Sequence, residues 1–141
     1  MARQRNNRHE AIRRLVRTKT MRTQEDFIRE LQLLGFSCGS GTIARDTADV
    51  GLRKVDGGLY VLSTDVELYR MVSQFATGCE RAGNLVVIRS RRGVERAMAE
   101  AVDEAAIEGV MCAATGASSV LVACRSDESA RSVATLVGLF M

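Results

Sequence analysis

Apolar residues at Ala11, Ile12, Leu15 and Val16 recur at helical spacing, with arginines between and around them. The pattern predicts an amphipathic helix over 8–17. Residues 18–22 are polar and end it. Thr23 opens a second helix, because it is a good N-cap and Asp26, three positions on, supplies the acid of a capping pattern. Phe27, Ile28, Leu31 and Leu34 are expected to form its buried stripe, and Gly35 is expected to close it with a left-handed cap. After Ser37-Cys38-Gly39, Ser40 is expected to cap a third helix that reaches about Asp49 and is closed by Gly51. Ile43 and Val50 face inward there, while Thr42, Ala44, Arg45 and Thr47 are left mostly outward. Two short apolar runs, 52–55 and 59–62, flank Asp56-Gly57-Gly58 and predict a β-hairpin.

Ser63-Thr64-Asp65 reads as a hinge. Beyond it, Val66, Tyr69, Val72, Ala76 and Cys79 recur every three or four positions and predict one long helix. Residues 85–88 form a continuous apolar run, expected as a buried strand. A helix is expected over 93–102, two strand-like segments over 109–114 and 119–124, and a last helix capped by Asp127. Val133, Leu136, Val137 and Phe140 are its stripe. The expected fold class is therefore α+β. It consists of a winged helix-turn-helix over 1–64 and an αβαββα body over 65–141. A body of that size has a small core, so self-association is expected.

Charge separates the two halves further. The first 64 residues carry 12 Lys and Arg against 7 Asp and Glu, and the remainder carries 8 against 10. A basic head on a mildly acidic body points to a polyanionic partner for the head alone. Residues 1–7 are expected as a disordered basic tail able to touch phosphate. In a winged helix-turn-helix the second helix of the motif enters the major groove of duplex DNA and the first crosses the backbone. Cys38, Cys79, Cys112 and Cys124 include no C-x-x-C pair, and the single histidine, His9, is distant from them in sequence. Zinc and disulfide frameworks are therefore not expected, and each thiol is expected to be buried and free. With no signal peptide and no apolar run near the roughly 18 residues needed to span a membrane, a cytoplasmic protein is expected. An enzyme finds no support in a Gly-rich phosphate loop, a nucleophile triad or a carboxylate pair.

Several blocks, in order and spacing, resemble the bacterial arginine repressors over nearly the whole chain. They are Arg8-His9, Thr23-Gln24-Glu25, Gly35-Phe36, Thr42-Ile43-Ala44-Arg45-Asp46, Gly51-Leu52-Arg53-Lys54-Val55, Gly58-Leu59-Tyr60 and Leu85-Val86-Val87-Ile88 followed by Gly93. The resemblance implies a winged helix-turn-helix head and a body that assembles as a trimer or as a hexamer of two stacked trimers. It implies double-stranded operator DNA as partner, L-arginine as corepressor, and control of genes of arginine biosynthesis or catabolism. Arg45 is the first candidate for base contact, since a guanidinium grips guanine O6 and N7 together. The competing reading is an ion pair with Asp46 or Asp49. Thr42 and Ser40 are candidate hydroxyl donors to DNA, or else helix caps. Arg53 and Lys54 of the hairpin, with Arg13, Arg14, Arg17 and Lys19, are candidate phosphate contacts that set affinity rather than sequence preference. Ser40 and Ala44 stand where the family has Gln and Ser, which implies a changed operator.

In the family a G-D-D-T motif supplies paired carboxylates for the arginine cation. The matching segment here is Gly116-Ala117-Ser118-Ser119, without either acid, and Arg96 stands in place of a family Gln. Asp103 keeps a family acid. The candidate effector residues are thus Arg96, Asp103, Ala117 and Ser118. Three readings stay open. Arginine is held through Asp103 with Glu95, Glu100 or Glu108; a different effector, such as an anion drawn by Arg96, is bound; or the regulator works without a corepressor, Arg96 filling the ligand's place. An architectural DNA-binding protein without effector is the further alternative.

Overall fold

The computed structural model describes residues 2–141. The chain divides into two compact units between Ser63 and Thr64. The first holds three helices and a hairpin: α1 (Ala2–Thr18), α2 (Gln24–Leu33), α3 (Ser40–Val50), β1 (Leu52–Lys54) and β2 (Tyr60–Leu62). Ile12, Leu15, Val16, Met21, Phe27, Leu31 and Ile43 form its core. α1 begins earlier than its apolar pattern requires. Residues 2–7, expected as a disordered tail, continue the helix, and Met1 lies outside the described residues.

Local chemistry sets the helix ends. Thr23 and Asp26 form a reciprocal capping box. The Asp26 carboxylate accepts the backbone N–H groups of Arg22 and Thr23, which, against the effect of burial, lowers its pKa. At the far end Gly35 takes φ +92°, and the Gly35 and Phe36 N–H groups return to the Gln32 and Leu31 carbonyls. That Schellman arrangement satisfies carbonyls the helix leaves open. α3 differs from expectation at its start. Gly39 is the N-cap, and Ser40 is already the first helical residue and makes no side-chain cap.

The hairpin is tied back to the helices. Tyr60 meets Phe27 edge to face at 5.2 Å, its N–H donates to the Met21 carbonyl, and Arg22 Nη1 donates to the Gly57 carbonyl.

The second unit runs α4 (Val66–Phe75), β3 (Ala76–Ala82), β4 (Leu85–Ser90), α5 (Glu95–Glu104), β5 (Val110–Gly116), β6 (Ser119–Cys124) and α6 (Asp127–Phe140). The order is αββαββα, one strand more than expected. The helix predicted to reach Cys79 stops at Phe75, and β3 pairs with β4. Thr77 and Gly78 are weak helix formers, and Cys79 opposite Ile88 points to the same buried side of the sheet. The apparent helical stripe is thus a strand's inward positions continuing a helix's. α6 is capped by Ser126, whose hydroxyl accepts from the Ser129 N–H, rather than by Asp127.

The sheet is antiparallel, in the order β3-β4-β6-β5. α4, α5 and α6 cover one face, burying Val86, Ile88, Val120, Val122 and Cys124. The run 85–88 is therefore buried on alternate residues, not throughout. Its other residues share an outward face with β6 and β5: Leu85 opposite Ala123, Val87 opposite Leu121, and Leu121 opposite Ala114. Leu85 and Leu121 are 41% and 40% exposed there. Of the four thiols only Cys124 is fully buried, and Cys112 is exposed. Cys112 pairs with Ala123 on the outward face, which the expectation of a core thiol did not anticipate.

Candidate DNA interface and effector groove

The inward face of α3 is fixed by Ile43 and Asp46, one turn apart and both buried. Asp46, 2% exposed, is the one fully buried charged side chain among the described residues of the head. Two residues of α1 grip it. Arg8 reaches both carboxylate oxygens, through Nε to Oδ2 and through Nη2 to Oδ1 at 3.1 Å, and His9 Nε2 lies 2.9 Å from Oδ1. Burial pushes the Asp46 carboxyl up, but the hydrogen bonds and charges of Arg8 and His9 outweigh it, and its pKa is lowered. His9, Asp46 and Asp49 bring metal-ligand atoms within 4.8 Å of one another. The guanidinium on Asp46 makes this an ion-pair cluster rather than a metal site.

A lowered folded-state pKa adds stability above the ordinary carboxylate value, and that stability is lost as pH falls through the folded value. The protection factors of the α3 amides, corrected for the intrinsic exchange rate, are therefore expected to stay level above about pH 5 and to fall below about pH 4. Asp46→Asn should flatten part of that acid response.

Because Asp46 is engaged by α1, it does not pair with Arg45. Arg45 is exposed and has no ion pair among the described residues. The alternative of an Arg45–Asp46 pair is thereby corrected: successive helix residues diverge by about 100° and do not face each other. Ser40, Gly41, Ala44, Ala48 and Asp49 are exposed with Arg45, whereas Thr42 is half-buried on the flank. Arg53 and Lys54 are exposed on β1, and Lys54 Nζ rests 4.9 Å from the Tyr60 ring centroid. The other candidate cations are less uniform. Arg14 is exposed, Arg13 lies 3.6 Å from Glu10, Arg17 is half-buried, and Lys19 is paired with Glu30.

In the second unit an open groove of about 420 Å³ lies between α5 and β5, lined by Arg96, Glu100, Asp103 and Thr115 with small alanines. Arg96 Nε is 3.3 Å from Glu100 Oε1 on its own helix, and both side chains are largely exposed. Asp103 is exposed without an ion pair among the described residues. Ala117 and Ser118 do not line this groove; they form the turn joining β5 to β6, where Ser118 takes φ +52°. Glu95 holds that turn. Its Oε1 accepts the Gly93 N–H at 2.6 Å and its Oε2 the Ser118 N–H at 3.0 Å. The Glu95 pKa is lowered by its own backbone N–H and by those of Ser118 and Gly93. The structure thus brings two of the four sequence-predicted effector residues together and places the other two at a neighbouring turn.

Residues 3–67 match the DNA-binding domain of the arginine repressors, and residues 72–137 match their C-terminal domain. The chain belongs to the arginine repressor family. It is 30% identical over 137 residues to the arginine repressor of Thermus thermophilus, covering 89% of this chain and 84% of the relative. It is 30% identical to that of Thermotoga maritima, covering 89% and 90%, and 32% identical over 130 residues to that of Streptococcus pyogenes, covering 88% and 90%. The family is one of transcriptional regulators rather than enzymes. No described helix is long and apolar enough to cross a membrane.

The groove carries one guanidinium, Arg96, and two carboxylates, Glu100 and Asp103.

Sequence reasoning missed the roles of Asp46 and Glu95. Arg8, His9 and Asp46 all stand in matched blocks, but their pairing across 37 and 38 positions has no local signal.

Proposed function

We propose that this chain is a cytoplasmic arginine-repressor-type regulator that binds double-stranded operator DNA in genes of arginine biosynthesis or catabolism. The observation that carries this is the match of both halves to the two repressor domains, together with an exposed Arg45 on α3 that has no ion pair among the described residues. In this reading Arg45 contacts a base, Ser40 and the flank residue Thr42 contact base or backbone, and Arg53 and Lys54 contact phosphate. Ala44 presents a methyl surface suited to a thymine methyl. The bare sheet face, with Leu85, Val87 and Leu121, packs against other copies of the chain, giving a trimer or a hexamer of two trimers. L-arginine acts as corepressor in the groove between α5 and β5. Asp103 is the principal carboxylate for it, and Ala117 and Ser118 contribute shape rather than charge at the turn.

Titration calorimetry on the full chain tests the effector assignment. L-Arginine is expected to bind, and L-citrulline, its analogue with a neutral side chain, to bind more weakly. Asp103→Asn is expected to weaken arginine about tenfold or more, the loss of one charge-assisted hydrogen bond. Absence of arginine heat at millimolar ligand would favour regulation without a corepressor, and an unchanged affinity in Asp103→Asn would place the arginine site away from this groove.

A further inference from the structure

We infer that Asp46, clasped by Arg8 and His9, is a positioning residue for DNA reading, setting the rotation of α3 so that Arg45 meets the base edges. The inference rests on the proposal that α3 is the reading helix. The apolar anchors of α3, Ile43 and the half-buried Val50, lie on the same side as Asp46. Apolar contacts are non-directional and tolerate a small roll or slide of the helix. A two-oxygen grip by a planar guanidinium is directional and does not. Arg8 supplies that grip through Nε and Nη2, and His9 adds a third contact to Oδ1 from the next position of α1. Asp46 directly follows Arg45 in the sequence. Any roll of α3 that loosens the clasp therefore swings the Arg45 side chain by the same angle. The clasp also neutralises a carboxylate that would otherwise stand one residue from the contact expected with polyanionic DNA.

A base contact is far more sensitive to such a roll than a phosphate contact, because its two hydrogen bonds require in-plane geometry. The device therefore bears on sequence preference rather than on general DNA affinity. Arg8→Lys tests this, since it keeps the positive charge and leaves Asp46 in place but removes the fork. The ratio of affinities for operator and scrambled DNA is expected to fall about tenfold, part of one bidentate base contact. Affinity for scrambled DNA and its salt slope should stay at the wild-type values. Asp46→Asn is expected to lower the ratio at least as far, and if it does not fold, Arg8→Lys carries the test.

A purely stabilising ion pair makes a different prediction: Arg8→Lys melts at lower temperature but, while folded, keeps the wild-type ratio. That result would overturn the inference and leave the DNA reading intact. A wild-type chain with no operator preference would overturn both together.

Discussion

Arg45→Ala is expected to lower affinity for the operator by roughly 10- to 100-fold, the value of one bidentate guanidinium–base contact. Affinity for unrelated DNA should change little, and the melting temperature should hold. Arg45 is exposed, touches no acid among the described residues, and leaves the core residue Ile43 and the clasp on Asp46 untouched. Arg53→Ala gives the contrasting pattern. Removing a cation from the phosphate backbone weakens operator and scrambled DNA alike and reduces the salt slope by about one unit. Competition binding at two salt concentrations separates the two cases. An Arg45→Ala protein with an unchanged operator-to-scrambled ratio would show that the outward face of α3 does not read bases.

Leu121→Glu is expected to convert the assembly into monomers of 15.4 kDa in sedimentation. Leu121 lies near the middle of the bare sheet face, opposite Val87 on one side and Ala114 on the other. In the isolated unit it is 40% exposed, so a carboxylate there meets solvent and the fold survives. Between copies the same carboxylate would be buried without a cation, at a cost of several kcal/mol at each interface. Met111, 59% exposed at the β5 irregularity, marks how far apolar surface extends on this edge. A monomeric wild-type chain, or a variant that assembles as the wild type does, would place self-association elsewhere.

The head is legible from local patterns because its elements carry their own signals. Thr23 and Asp26 cap α2, Gly35 closes it, and Asp56-Gly57-Gly58 turns the hairpin. The body is less legible where one pattern serves two structures. Val72, Ala76 and Cys79 continue a helical spacing, yet the last two belong to a strand, because the edge of β4 offers hydrogen bonds that a Thr-Gly helix could not match. The unbroken run Leu85-Val86-Val87-Ile88 signals burial on both faces. Within one chain only Val86 and Ile88 are buried. In the proposed assembly the other two are covered by a second copy, so the run reports the oligomer rather than the protomer.

The site divides in the same way. Arg45, Ser40, Arg53 and Lys54 stand on the surface as expected, since charge and helix phase decide exposure. The Ser40 cap fails because Gly39, with extended backbone, already occupies the N-cap position. The clasp on Asp46 and the hold of Glu95 on the Ser118 turn depend on tertiary approach. Glu95 anchors the Ala117-Ser118 turn by accepting the Gly93 and Ser118 backbone N–H groups.

Operator recognition by the full chain is measured by fluorescence anisotropy on DNA from upstream of its own gene, against a scrambled duplex, with and without L-arginine. A repressor-type reading helix requires binding to the upstream DNA at least about 1,000-fold tighter than to the scrambled duplex at moderate salt, tightened further by arginine. Equal affinity for the two duplexes would contradict it.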